Sequence, residues 1–239
     1  TKKLAQEGYR EIVVNGIEIS SWGWEWKNGS RLSDLLLAIC QAAPTVRIRL
    51  GSLEPRTIDE GFCKTLSTCR NLCPQFHLSL QSGSDTVLKR MNRKYDTQRY
   101  LESVHLLHRY FPGCAVTTDL IVGFPGETEQ EFSESLQFMQ TCALAAVHVF
   151  PYSRRKGTPA AVMPDQIEKS EKERRAALAG QIAERLHQSY LTAQLGTEHD
   201  VLFEQPEKDY FTGHTMNYVK VYVQAEDLRN QIRRVRITQ

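Results

Sequence analysis

A chain of 239 residues, 41% hydrophobic and 24% charged, is long enough to bury one large core and a small satellite domain. It contains no apolar run near the roughly 18 to 20 residues that cross a bilayer, and its N-terminus has neither signal nor transit composition. A cytoplasmic protein without a membrane partner is therefore expected, with its six cysteines as free thiols and no disulfide scaffold.

The chain opens at Thr1 on helical sequence, "TKKLAQEGY", ahead of a first strand at residues 11–15, as though a preceding strand had been removed. A fragment is expected. Further strands are predicted at 46–50, 76–80, 116–122 and 146–150, alternating with helical patterns at 32–43, 57–67, 97–110 and 129–142. That rhythm predicts β/α units on a parallel sheet, here an incomplete (β/α) barrel, with near-continuously apolar strands such as "EIVV" and "DLIVGF". Pro44 and the "FPG" at 111–113 mark helix ends. A charged, mildly amphipathic helix at 165–195 closes at Gly196 and leads to short β-like runs from His199 onward, "DVLFEQ", "YVKVYVQ" and "RRVRIT", which suit a small all-β barrel. The expected division is 1–164 for the α/β core, 165–198 for the helix and linker, and 199–239 for the β domain.

Ligands of parallel β/α folds lie beyond the carboxyl ends of the strands. Those ends carry Gly16, Glu18 and Ser20, then Ser52 and Glu54, then Gln81 and Ser82, then Gly123 to Glu127, then Pro151 to Ser153. Polar groups recur at one rim. "LSLQSGSDTVLKRMNRKYD" shows the pattern: Phe76, Leu78 and Leu80 alternate into amide and hydroxyl groups where a helix begins. In "TTDLIVGFPGETEQEF", Gly123 and Gly126 permit close backbone approach, Pro125 stiffens the turn, and Glu127, Thr128 and Glu129 favour a helix start. A ligand cradle and a well-capped turn both fit that stretch.

Cys69 and Cys73 lie four apart with His77 beyond them, but no third cysteine follows in register, and the pair reads as structural. His105, His108, His148 and His187 belong to no hydrolase or metalloprotease motif. There is no Walker loop and no G-x-G-x-x-G opening a helix. Three basic groups stand out: Lys89, Arg90, Arg93 and Lys94; Arg154, Arg155 and Lys156; and Arg229, Arg233, Arg234 and Arg236. They allow a polyanionic partner.

Taken together, "LSLQSGSDTVLKRMNRKY", "TTDLIVGFPGETEQEF", "HVFPYSRRKGTPA" and "GHTMNYVKVYV" closely resemble the radical S-adenosylmethionine methylthiotransferases, most of all the branch acting on threonylcarbamoyladenosine at position 37 of tRNA. The resemblance covers essentially the whole chain. It implies a partial radical SAM barrel, a C-terminal TRAM domain that grips RNA, S-adenosylmethionine, and two [4Fe-4S] clusters in the full-length protein. It also implies a 5′-deoxyadenosyl radical that abstracts hydrogen from adenine C2, an external electron donor and sulfur source, and a monomer bound to the tRNA anticodon loop. By the same resemblance Gly16 and Glu18 would hold the methionine amino group, Ser79, Gln81 and Ser82 would line the ribose and substrate side, and Ser52 would join the cofactor site. Gly123, Phe124, Pro125, Val149, Phe150 and Tyr152 would pack near the adenine.

The chain departs from the family in one respect: Cys69 and Cys73 match only the first spacing of the C-x-x-x-C-x-x-C cluster loop, and Phe76 stands where the third cysteine belongs. The cluster cysteines are thus expected upstream of Thr1, so no metal site is expected in this chain and no side chain is assigned as a general acid or base. RNA contacts are expected from Arg154, Arg155, Lys156, His214, Asn217, Tyr218, Lys220, Arg233 and Arg234, where aromatic and guanidinium faces stack bases. From His199 onward six Lys and Arg face six Asp and Glu, so any RNA face is local, and a β domain that serves only as a lid is the alternative. Competing functions are methylthiolation of isopentenyladenosine in tRNA or of a ribosomal protein, and a non-catalytic RNA-binding scaffold.

Overall fold

The computed structural model describes residues 1–238. All five expected core strands form: β1 (Glu11–Val14), β2 (Arg47–Leu50), β3 (Gln75–His77), β4 (Ala115–Val122) and β5 (Ala146–Pro151). β1 pairs with β2, β3 with β4, and β4 with β5, each in parallel. Isolated parallel bridges, Ile48 to Leu72 and Leu53 to Leu78, join β2 to β3. The five strands thus follow one another in chain order. β3 is shorter than its 76–80 pattern because the chain beyond His77 meets its neighbours only at single bridges, the last from Gln81, with φ +68°, to Leu120.

Among the described residues seven α-helices accompany the strands: α1 (Lys2–Gln6), α2 (Leu32–Ala42), α3 (Glu60–Leu66), α4 (Asp85–Arg90), α5 (Thr97–Tyr110), α6 (Glu129–Thr141) and α7 (Lys169–Thr192). Local capping sets their starts. The Asp96 carboxylate accepts the Arg99 N–H at 2.8 Å, and Thr128 with Glu131 forms a reciprocal capping box. The helix expected from residue 57 starts at Glu60 because Asp59 caps it through the Phe62 N–H at 2.7 Å. Helix-facing strand residues Phe76, Leu78, Leu80, Val116, Leu120 and Val122 bury with Tyr100, Val104, Leu107, Phe132 and Met139 in one core. Tyr100 stays satisfied there by donating its hydroxyl to the Leu78 carbonyl at 3.2 Å.

The other face of the same strands is polar. Glu11, Arg47, Arg49, Gln75, His77, Thr117, Asp119 and His148 alternate with the core residues and face away from α5 and α6. A filled barrel interior is made of bulky branched side chains; this face carries polar ones instead.

The C-terminal unit is a four-stranded antiparallel sheet in the order β8 (Lys220–Val223), β7 (Tyr210–Thr215), β6 (Glu198–Glu207), β9 (Gln231–Arg236). The sequence pattern suggested a closed barrel and missed β7. Its Gly213 is required because a Cβ there would lie 2.2 Å from the Leu202 carbonyl oxygen. Val201, Phe203, Phe211, Val219, Val221 and Ile237 form its core. The sheet docks where the parallel strands begin. Arg47 donates to the carbonyls of Asp200 (2.6 Å) and His214 (3.1 Å), and Arg49 to those of Met216 (3.0 Å) and Thr215 (3.4 Å). Among the described residues no helix is long and apolar enough to cross a membrane.

Candidate functional site

Between the inner face of β3 to β5, α7 and the C-terminal sheet lies a groove of about 980 Å³ lined by Gln75, His77, Thr117, His148, His187 and Tyr218, among others. A chain of hydrogen bonds crosses its wall from Glu11 to His77, which in turn lies against Asp119. Glu11 accepts Arg49 Nε and Nη2 at 2.6 and 3.0 Å, and Arg49 Nη1 donates to Gln75 Oε1 at 3.5 Å. Gln75 Nε2 donates to Thr117 Oγ1 at 3.2 Å, Thr117 Oγ1 lies 3.1 Å from His77 Nδ1, and His77 Nε2 lies 3.3 Å from Asp119 Oδ2. Sequence reading found no partner motif for His148 or His187 and set His77 only beside the structural pair Cys69 and Cys73. The signal was nevertheless present as period-two alternation in "RIRL", "QFHLSLQ" and "AVHVF".

At the strand-end rim, Gly16, Glu18 and Ser52 are exposed and Ser79, Gln81 and Tyr152 half-buried. They form one open edge. Ser82 departs from it: fully buried, its hydroxyl pairs with Ser135 Oγ at 3.3 Å, and the Gly83 N–H donates to the same Ser135 oxygen at 3.0 Å. Close helix contact explains Gly83, whose Cβ would stand 2.7 Å from the Ser135 Cα. Much of the "QSGSD" polar cluster therefore docks α6 beneath the rim. Val149 likewise packs on the hydrophobic core, opposite Leu120, whereas Phe150 is 51% exposed.

The turn after β4 is held from below. The Glu127 carboxylate accepts the Gly123 N–H at 2.6 Å and pairs with Arg175 of α7 at 2.8 Å, both side chains being buried. Burial pushes the Glu127 carboxyl up, against the pull of Arg175 and the Gly123 amide. Phe124 and Tyr152 stack edge to face at 5.4 Å, and the buried Tyr152 hydroxyl has no partner among the described residues. The Gln81 N–H and C=O are already bonded to Asp119 and Ile121 at 2.9 Å, so the open polar groups of this rim are the Gly16 backbone and the exposed Glu18 carboxylate, an acceptor suited to an ammonium group. Beside the rim, exposed Trp24 with Arg31 and Arg56 borders a cavity of about 490 Å³, a feature sequence reading passed over.

The basic groups divide. Arg90 is held by Glu131 through two 2.8 Å bonds, so it adds nothing to an open cationic face. That contact drops the Glu131 carboxyl to about 2. Arg155 and Lys156 are exposed, whereas Arg154 Nε donates to the Ala161 carbonyl at 2.6 Å. Arg234 and Arg236 pair across strands with Glu198, Arg233 donates to Gln231, Lys220 pairs with Glu207, and Arg229 is exposed. His214 is bonded to Glu204 at 2.6 Å and stacked on Tyr218 at 4.6 Å, and Tyr218 lies under Arg49. Asn217 is buried, its amide donating to Gly113 and Gln194. These three residues build the joint between sheet and core.

The thiols do not fit an iron–sulfur cluster. No group of three His, Cys, Asp or Glu is arranged for a metal among the described residues, and burial pushes Cys40, Cys63, Cys73, Cys114 and Cys142 up to about 12, far from the thiolate a cluster needs.

Residues 2–139 match the family model described as the radical SAM superfamily. The chain belongs to the radical SAM superfamily. Membership implies S-adenosylmethionine and a [4Fe-4S] cluster. The radical SAM chain is 37% identical over 242 residues to the threonylcarbamoyladenosine tRNA methylthiotransferase MtaB of Bacillus subtilis (strain 168), covering 99% of this chain and 54% of that protein. It is 33% identical over 241 residues to a tRNA-2-methylthio-N(6)-dimethylallyladenosine synthase of Desulforamulus reducens, covering 99% and 53%. It spans about half the length of these curated relatives. In fold it resembles the radical S-adenosylmethionine methyltransferase TsrM of Kitasatospora setae, with a TM-score of 0.54 at 16% identity over 67% of this chain and 31% of that one.

Proposed function

We propose that the chain is the substrate- and cofactor-binding part of a tRNA methylthiotransferase that places a 2-methylthio group on threonylcarbamoyladenosine. One observation carries this reading: a polar groove opens beneath a rim of exposed glycine, carboxylate and hydroxyl groups, in a chain 37% identical to MtaB over nearly its whole length. Gly16 and Glu18 take the ammonium of S-adenosylmethionine, Ser52, Ser79 and Gln81 its ribose, and Gly123, Phe124, Pro125, Phe150 and Tyr152 its adenine. When bound, that cofactor supplies the methyl group and the adenosyl fragment that activates the adenine C2–H bond. The chain's own part is to orient the two molecules and exclude water.

The C-terminal sheet, residues 199–239, acts as a TRAM domain beside the core of 1–164 and the helix and linker of 165–198. Arg155 and Lys156, with Arg233 and the half-exposed ring of Tyr218, offer charge and a ring face to the anticodon loop, while Lys220 and Arg234 are already paired with Glu207 and Glu198. Protein expressed from the complete gene, reconstituted anaerobically with iron and sulfide, tests the reading against threonylcarbamoyladenosine-containing tRNA with S-adenosylmethionine and reductant. Mass spectrometry of the nucleosides should show the 2-methylthio product together with 5′-deoxyadenosine. A cluster-loaded protein that modifies only dimethylallyladenosine tRNA would reassign the substrate.

A further inference from the structure

The bond directions across the inner wall follow from one fixed donor. Arg49 can only donate, so the oxygen of Gln75 faces it and the Gln75 nitrogen faces Thr117. The Thr117 oxygen, accepting there, has its proton free for His77 Nδ1. His77 then carries its proton on Nε2, which lies 3.3 Å from Asp119 Oδ2. Asp119, its side chain one-third exposed, stands against the end of this chain and accepts no side-chain hydrogen bond among the described residues.

His148, exposed, stands directly opposite Asp119 in the β4–β5 register, its ring without a hydrogen-bond partner among the described residues. Its ring lies 6.1 Å from that of His77, inclined by 29°. A carboxylate and an imidazole, neither hydrogen-bonded through its side chain among the described residues, thus stand side by side where His148 lines the groove.

We infer that Asp119 and His148 receive the polar N6 substituent of the substrate adenosine, Asp119 accepting a ureido N–H and His148 answering the carboxylate. This rests on the proposed tRNA reading. Asp119 is four residues before Gly123, roughly 13 Å below the rim at strand rise. C2 and N6 diverge around the pyrimidine ring, so with C2 turned up towards the rim the N6 arm points down and sideways into the groove. An apolar dimethylallyl arm would bury against this wall and leave its polar groups without partners, which costs affinity. Asp119 and His148 are thus specificity residues, and His77 is a positioning residue that fixes the Asp119 acceptor.

The test is equilibrium binding of the chain to anticodon stem-loop RNAs carrying threonylcarbamoyladenosine, dimethylallyladenosine or unmodified adenosine at position 37. The wild-type chain should prefer the threonylcarbamoyl RNA by roughly tenfold, as expected for one hydrogen bond to a charged group. D119N keeps an acceptor for His77 but turns an N–H towards the ligand, so it should abolish the preference while the unmodified RNA binds as before. H77Q should reduce the preference partway, and unchanged thermal melting should show that both variants are folded. Equal wild-type binding of all three RNAs, a preference for the dimethylallyl RNA, or a D119N variant that still discriminates would overturn the inference and leave RNA recognition standing. Binding of none of them would overturn the tRNA reading with it.

Discussion

Arg175 donates from a single Nη1 to both the backbone carbonyl and the Oε2 of Glu127, each at 2.8 Å, with side chains only 6% and 1% exposed. The pair fastens α7 to the turn after β4, and Glu127 in turn holds the Gly123 N–H. Breaking it from one side strands a buried charge. R175M is expected to lose about 3 to 5 kcal/mol in urea unfolding, whereas the double variant E127Q/R175M should recover much of that loss. A single variant as stable as the wild type would show that water reaches the carboxylate.

Gly123 carries a second, steric constraint. Its φ is +71°, and a Cβ would meet the Lys172 Cγ at 2.3 Å. G123A should therefore cost about 1 to 3 kcal/mol through backbone strain alone, with the clash in addition. Adding K172A removes only the clash, so G123A/K172A should be intermediate in thermal melts. Full recovery would place the whole cost in the side-chain contact.

The Glu131 carboxyl is held at about 2, chiefly by Arg90 and then by the Thr86 and Thr128 groups. Because that value lies below the ordinary carboxylate range, the contribution is complete above about pH 4.5 and is lost as pH falls towards 2. Melting temperature followed over this interval should fall more steeply for the wild type than for E131Q. Parallel curves would mean that the pair adds no pH-dependent stability.

Five thiols are buried and raised, while Cys69 is partly exposed. A disulfide reagent at pH 8 should modify at most one thiol per native chain and all six after denaturation. Rapid modification of Cys73 would contradict its buried position beside Glu11.

Local patterns made much of the architecture readable. Helix periods, the capping signal at Thr128, and apolar strands separated by turn residues depend on neighbours within about one helical turn, so all five core strands and the main helices were legible. The family motifs were also legible, because they occupy continuous stretches. β7 was not, since its Gly213 weakens a strand pattern and is required only by the crossing backbone of Leu202.

The sequence by itself determined the alternation of elements, the polar rim at the strand ends and the family. Tertiary structure alone decided what the side chains do there. Ser82 and Asn217 look like ligand groups in a linear reading, yet one is spent on α6 and the other on the sheet–core joint. Conversely, His77 acquires a role from Glu11, Arg49, Gln75, Thr117 and Asp119, drawn from four strands over more than a hundred residues. The physical reason is that a hydrogen bond depends on distance and direction in space. Strand register and domain docking set those, and they are collective properties of segments far apart in the chain.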